Sequence, residues 1–399
     1  MRAYLFSALL ALLLAPPAGA QSHRRARDLG ITFGGTAGPH NAITDVAGVE
    51  VGHVTLIRGD GRLVRGQGPV RTGVTVVFPR GRTGAEDGVY AATHVLNGNG
   101  EMTGTIWIDE SGWLGGPVAL TNTHSVGVVR DAIVEWSVAR GRSEPFSLPV
   151  VAETYDGFHV KPAHVMAALD SARGGPVPEG SVGGGTGMVC HQFKGGIGTA
   201  SRRLPPELGG WTLGVLVQCN YGSRRLFSVE GVPVGTETAD IRSCYAGASP
   251  PSNPWIRLAP CSGAQPVPAQ PRGDGMGSII VLVATDAPLL PHQLERLARR
   301  VPLAIGKMGG LGEDSSGDIF LAFSTARTEV DSATGVRTSR SVANERLNPI
   351  FEATVQATQE AILNSMLAAE TMTGADGVRI PALPADRLVA AMRKYGRLR

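Results

Sequence analysis

Charge is scarce in this chain. Charged residues make up 18% of its 399, below the usual quarter. The formal net charge is only +3 and no basic block stands out, which argues against a nucleic-acid scaffold. Lysine is rarer still: of 37 basic residues only Lys161, Lys194, Lys307 and Lys394 are lysines, a bias read as genomic composition. Aromatics reach 5%. Disorder is excluded by the 42% hydrophobic content. The 54 glycines, about twice average use, have no three-residue period, which excludes a collagen-like chain. At about 100–200 residues per domain this length holds two domains or one large one. It buries enough core to fold without disulfides.

Long apolar runs are also few. Leu5 to Leu14 is apolar, but a bilayer span needs roughly 20 residues. With Arg2 before it and Ala18-Gly19-Ala20 after it, the segment 1–20 reads as a secretory signal; the competing reading is an uncleaved anchor. No later segment approaches that length. The mature protein is therefore expected to be soluble, periplasmic or secreted, with no membrane contact once the signal is removed. Export permits disulfides. Cys244 and Cys261 share one proline-rich stretch and are the expected pair. Cys190 and Cys219 lie in apolar, strand-like segments and fit a bridge or two buried free thiols equally.

Strand signals run through Val49–Thr55, Val74–Phe78, Thr105–Ile108, Pro117–Leu120 and Trp211–Gln218. Helical spacing predicts helices over Val126–Arg140 and Pro162–Ser171, the latter ended by Gly174-Gly175. A loop over 236–277 carries seven prolines between Pro250 and Pro271, which remove backbone donors and make it an irregular surface segment. The run Ser278-Ile-Ile-Val-Leu-Val-Ala284 then reads as a strand buried on both faces. Pro291–Ala304 is expected to be a helix bent near Pro302, Ile319–Thr325 a strand, and Asn344–Thr373 a long amphipathic helix stopped by Gly374. Without a regular βαβ alternation, the pattern favours an α+β fold with helices outside stacked sheets.

Common catalytic signatures are missing. There is no Gly-x-Ser-x-Gly elbow, Ser-x-x-Lys, His-Glu-x-x-His or Walker A sequence. His159 and His164, five apart, suit no single helix face, so no metal is expected. Gly183–Gly187 and Gly195–Gly198 lack the strand–GxGxxG–helix setting of a nucleotide site. They read as tight turns where backbones pass closely, and no cofactor is expected.

The informative segment is Asp274-Gly-Met-Gly277-Ser278. A flexible loop ends there, a buried strand follows, and a small hydroxyl residue starts it. This layout suits a precursor that cuts itself before an N-terminal nucleophile. Glycine before the serine lets the hydroxyl reach the preceding carbonyl. An N→O acyl shift followed by ester hydrolysis would free the chain at Ser278. The new α-amino group, with a pKa near 7.7–8.0 against about 10.4 for lysine, would be partly unprotonated at neutral pH beside the hydroxyl it must activate.

Several segments together resemble the DmpA-type L-aminopeptidase/D-Ala-esterase-amidase family, which includes the β-peptidyl aminopeptidases. They are Ile43–His53, Asn97–Thr103, Thr121–Gly127, Ala152–Gly157, Phe193–Gly198, Gly277-Ser278 with its strand, and Ser316–Thr325. The resemblance implies an αββα sandwich of the DmpA/ornithine-acetyltransferase type in a single large domain. It also implies self-cleavage into an α-chain (21–277) and a β-chain (278–399), and assembly into a homotetramer. Ser278 matches the family's nucleophile, and Gly277-Ser278 its cleavage site. Asn220 matches a side-chain amide that helps hold the oxyanion. Tyr155 matches a hydroxyl lining the site, and Glu153 the carboxylate that receives the substrate's free amine. Ser316 and Asp318 match a serine and an acidic residue that support the nucleophile; some members carry glutamate at the latter position.

The residues suit these roles. Ser316 and Asp318 are two apart and face one way on an extended strand, giving a hydroxyl–carboxylate chain toward Ser278. Asn220 follows an apolar strand, where a donor is preorganised. Each has a plainer alternative: a strand-entry turn for Asp318, a tight turn before Gly222 for Asn220, a solvated charge for Glu153 and a core aromatic for Tyr155. Asn97, Asn99 and Glu101 either line the entrance or form a turn. The expected activity is removal of N-terminal residues from short peptides, amides or esters of L-, D- or β-amino acids. An ornithine-acetyltransferase-like acyl transferase, which would use threonine, and a non-cleaving secreted binding protein are the rivals.

Overall fold

A computed structural model describes residues 24–141, 146–157, 159–253, 256–262 and 277–399. The signal-like segment 1–20 and residues 254–255 and 263–276 of the proline-rich loop, including Asp274, lie outside the described residues. The first half of the chain forms β1 (Glu50–Arg58), β2 (Val70–Phe78), β3 (Val89–Gly98), α1 (Thr105–Ser111), β4 (Trp113–Leu114), β5 (Val118–Thr121), α2 (Val126–Ala139), β6 (Val150–Glu153) and α3 (Pro162–Ser171). A small hairpin, β7 (Val189–Cys190) and β8 (Phe193–Lys194), leads into β9 (Gly196–Arg203) and β10 (Thr212–Asn220). Then come α4 (Val234–Glu237), β11 (Cys244–Tyr245), β12 (Ala259–Pro260) and β13 (Ser278–Thr285). The chain finishes with α5 (Pro291–Ala298), α6 (Val301–Lys307), β14 (Gly317–Ser324), α7 (Asn348–Leu367) and α8 (Ala385–Lys394).

Two sheets stack face to face. One has the order β1-β2-β5-β6, the other β4-β3-β14-β13-β10-β9. Each contains one parallel pair, β5 with β6 and β13 with β14. A parallel neighbour requires a crossover, and both crossovers are helical: α2 in the first sheet, α5 with α6 in the second. These helices fall on the outer faces. Val74, Val76 and Phe78 of β2 pack on Val129, Ile133 and Leu169 of α2 and α3. Their neighbour Val77, one residue out of phase, joins Leu120, Leu216, Ile280, Leu282 and Leu321 between the sheets. On the far side Val281, Val283 and Phe320 meet Leu294, Val301, Ile362 and Met366 of α5, α6 and α7. The strand period of two thus sorts the second sheet's residues into two cores, and the layers run helix, sheet, sheet, helix. This is the mixed α/β single-domain sandwich expected from the sequence.

Three local expectations are corrected. Thr105–Ile108 is not a strand but the start of α1. Left-handed glycines at 104 and 112 bound that helix, and only Ile108 is buried, so the β-branched residues decide nothing by packing. The long C-terminal helix spans Asn348–Leu367 rather than reaching Gly374; it closes at Ala368, whose N–H bonds back to Asn364, and Met372–Thr373 turns extended. The helix predicted over 291–304 is two helices, because Pro302 opens the first turn of α6, where its missing N–H costs nothing. Both pairs of cysteines are bridged, Cys244–Cys261 and Cys190–Cys219. Among the described residues no helix is long and apolar enough to cross a membrane.

Candidate active site

The ends of β3, β6 and β10 and the starts of β13 and β14 converge on one edge of the sandwich. Ser278 is the first residue of β13 and 7% exposed. It lies opposite Asn220 on antiparallel β10 and opposite Gly317 on parallel β14, so these three residues share the face turned toward the other sheet. The Gly317 N–H donates to Ser278 Oγ at 3.1 Å and to the Gly277 carbonyl at 3.3 Å. One backbone donor therefore serves the hydroxyl and the carbonyl just upstream of it. Gly277 has φ 147°, and a Cβ there would lie 2.0 Å from the Asn220 carbonyl. Only glycine lets the chain enter β13 along this path.

The Asn220 side chain is fixed at both ends. Its Oδ1 accepts from Val189 N–H at 2.8 Å, and its Nδ2 lies 3.4 Å from the Tyr155 carbonyl. The accepted bond sets which end is the donor. Tyr155 itself is 58% exposed, which disposes of a core role, and its ring stands edge-on to His124 at 5.7 Å. Glu153, at the end of β6, is 3% exposed. It accepts from Glu101 N–H at 3.1 Å and from the Thr123 hydroxyl, so it is not a solvated surface charge. Burial pushes its carboxyl above the ordinary glutamate range, partly offset by those bonds. Gly100 separates it from the serine: a Cβ there would meet Gly317 Cα at 3.1 Å and Glu153 Oε1 at 3.2 Å.

Ser316 and Asp318 are joined, with the Ser316 hydroxyl donating to Asp318 Oδ1 at 2.6 Å. Asp318 pairs with Ile279, and both lie on the helix-covered face with Phe320 and Tyr221. Among the described residues no hydrogen bond links either of them to Ser278. Burial pushes the Asp318 carboxyl up to about 6 against the pull of Ser316 and of the Ile279 N–H, and among the described residues its Oδ2 has no hydrogen-bond partner. The loop bearing Ser316 is held by Asn97, whose Nδ2 donates to the carbonyls of Glu313, Asp314 and Ser316, and by Asn99, which donates to Ser315 O at 2.9 Å. The two asparagines thus brace the loop.

The sequence reading missed Lys194, Asp156 and Thr123. Lys194 is 1% exposed, and its signal was its rarity: a lone lysine among apolar residues and glycines in an arginine-rich chain. The Gly183–Gly187 segment threads between the sheets, where a Cβ at Gly184 would lie 2.1 Å from Gln218 Oε1. Among the described residues no group of three His, Cys, Asp or Glu could hold a metal.

Comparison with known proteins shows the family and supports the fold. The model of peptidase family S58 matches residues 41–380. The chain belongs to peptidase family S58. The β-peptidyl aminopeptidase BapA of Sphingosinicella microcystinivorans is 50% identical over 401 residues, covering 98% of each chain. A solved β-aminopeptidase from Burkholderia sp. superposes with a TM-score of 0.80 at 44% identity, over 94% of this chain and 99% of that one. So does the L-aminopeptidase D-Ala-esterase/amidase of Ochrobactrum anthropi, at 43% identity, TM-score 0.80 and the same coverage. That protein is described as a prototype serine aminopeptidase with a variant of the Ntn hydrolase fold. This S58 chain has that fold and is a serine aminopeptidase.

Proposed function

We propose that the chain is exported, cuts itself between Gly277 and Ser278, and uses the new N-terminal serine to release N-terminal residues from short peptides, amides or esters. The observation that carries this is the Gly317 N–H shared between Ser278 Oγ and the Gly277 carbonyl. In the first step Ser278 Oγ attacks the Gly277 carbonyl carbon, the C–N bond breaks, and an ester and a free amine form. Water then cleaves the ester, leaving the Gly277 carboxylate and an N-terminal Ser278. The α-amine serves as base for the hydroxyl beside it. In turnover that hydroxyl attacks the substrate carbonyl, the Asn220 amide receives the oxyanion, and the scissile C–N bond breaks with the leaving amine taking the proton. Water then hydrolyses the Ser278 ester to free the N-terminal residue and restore the hydroxyl.

Glu153 receives the substrate's ammonium, and an incoming cation favours its ionised form, offsetting the upward push of burial. Tyr155 lines the mouth of the site. Ser316, backed by Asp318, supports the nucleophile from behind. The names of the relatives point to substrates with an N-terminal β-amino acid, and a carboxylate that recognises only the amine accepts L- and D-residues as well. The 1–20 signal and two disulfides suit a periplasmic or secreted location, and the family resemblance suggests a homotetramer.

A denaturing gel of purified enzyme should show two bands, corresponding to residues 21–277 and 278–399. Terminal sequencing of the smaller should begin at Ser278. Ser278→Ala should stay whole and inactive; a variant that still splits there would refute the assignment of the nucleophile. Light scattering checks the tetramer.

A further inference from the structure

Three of the four lysines are exposed, but Lys194 is buried. Its ammonium donates to the carbonyls of Thr186 at 3.0 Å and Met188 at 2.6 Å. A buried ammonium without an opposite charge costs several kcal/mol, and here the Asp156 carboxylate supplies that charge. Asp156 in turn accepts from Gly187 N–H at 3.2 Å and from the Thr72 hydroxyl at 2.7 Å. Two opposite charges therefore hold three consecutive residues, 186 to 188, from two sides, the lysine by two carbonyls and the aspartate by one N–H. Burial draws the lysine down to about 7 and pushes the aspartate up to about 7; Asp156 opposes the first shift, and the Thr72 and Gly187 bonds, then Lys194, oppose the second.

Both partners adjoin the backbone that grips Asn220. Val189, directly after the clamped segment and opposite Lys194 in the hairpin, donates to Asn220 Oδ1. Tyr155, directly before Asp156, offers its carbonyl to Asn220 Nδ2. Two independent features stiffen the same unit. The Cys190–Cys219 bridge joins the neighbours of Val189 and Asn220. The hairpin turn holds His191 and Gln192 at φ 47° and 60°, a conformation non-glycine residues keep only where the surroundings impose it.

We propose that the Lys194–Asp156 pair is a positioning device for the Asn220 amide: it fixes the backbone on either side so that Nδ2 is aimed at the oxyanion position beside Ser278. This rests on the reading of Asn220 as the oxyanion donor. Neither charged group touches substrate; each acts through the backbone.

The test uses full-length purified enzyme, rates per folded chain, and β-alanine p-nitroanilide as probe. Lys194→Met should lower kcat up to about 10²-fold, the scale of a misplacement of about 1 Å, with KM changed less than about threefold. Lys194→Met/Asp156→Asn removes both charges together, which keeps the experiment valid if the single variant does not fold, and should show the same kcat loss. In an Asn220→Ala background the Lys194→Met/Asp156→Asn pair should have little further effect on kcat, because the group it positions is gone. A folded double variant with full kcat beside a crippled Asn220→Ala would overturn the coupling alone. Equal fractional losses in both backgrounds would also overturn it. If Asn220→Ala itself runs at full rate, the oxyanion reading fails, and the coupling loses its target.

Discussion

Ser278 is the first residue of β13 and Asp318 the second of the adjacent parallel β14, and this offset of one turns them to opposite faces of the sheet. The inner face gathers Ser278, Asn220 and the Gly317 N–H near the edge of the sandwich. The outer face gathers Asp318, Ile279, Phe320 and Tyr221 beneath the helices. The inner groups lie beside the exposed Tyr155, whereas the outer ones are buried among apolar side chains. A base must lie within hydrogen-bond reach of the proton it takes. Asp318 does not bond Ser278, and its partner is the Ser316 hydroxyl. The comparison therefore assigns proton removal to a group on the inner face and leaves Asp318 a role through Ser316. The α-amine that the proposed cleavage would release is such a group; among the described residues no histidine hydrogen-bonds Ser278, and His124 stands against Tyr155 instead.

The two faces should respond differently to mutation. On the inner face, Ser278→Ala should abolish turnover by more than about 10⁴-fold. Asn220→Ala should lower kcat by about 10²–10³-fold, the usual cost of one oxyanion donor, with KM little changed. Kinetics on one aminoacyl amide checks both. An Asn220→Ala enzyme that loses only KM would move that residue from the oxyanion to substrate binding and blur the distinction between the faces.

On the outer face the effects should be smaller and dependent on pH. Asp318→Asn keeps the acceptor for Ser316 but removes the charge, and should lower kcat by roughly tenfold, less than losing a direct donor. The stability sign is opposite to that of a salt-bridged aspartate. Burial raises the folded pKa from 3.8 to about 6, so the folded state holds the proton more tightly than the unfolded one. The native protein gains from this below pH 4 and loses the gain as pH rises through 6. Relative to the parent, Asp318→Asn should therefore be more stable above pH 7, by on the order of 2 kcal/mol, and unchanged below pH 4. Denaturant melts at pH 4 and 8 measure this; a variant less stable at pH 8 would mean that the charge is well solvated or paired.

What could be read in the sequence follows the same division between local and spatial signals. Ser278–Ala284 was legible as a buried strand because burial on both faces leaves an unbroken apolar run. The junction at Gly277-Ser278 was legible because loop, glycine, serine and strand are consecutive. The helix at Thr105 was not, since its boundaries depend on two left-handed glycines, and of its β-branched residues Ile106 points to solvent while Ile108 is buried. The side of the sheet that Asp318 occupies could not be read from the spacing of Ser316 and Asp318, because facing each other says nothing about facing Ser278; the pairing of Asp318 with Ile279 decides it. Asn97 acts on carbonyls far away in sequence, at 313–316, and Lys194 on Thr186 and Met188 just across the hairpin; no spacing pattern announces either set of partners.

The smallest expected effect tests whether the outer face is only a support. Tyr221 lies against Asp318 with its hydroxyl buried and unpartnered. Burial first, then the nearby Asp318 and Glu313 carboxylates, hold its phenol well above the ordinary range, so it stays neutral. A buried hydroxyl with no partner forgoes a hydrogen bond it makes in water, at a cost of about 1–3 kcal/mol. Tyr221→Phe removes the oxygen and keeps the ring against Ile305 and the edge-on contact with His191 at 4.8 Å. It should therefore raise stability by about 1 kcal/mol and leave kcat within about twofold. A marked fall in kcat at unchanged stability would mean that the hydroxyl and Asp318 Oδ2 share a proton that turnover needs, and that the covered face takes part in the chemistry.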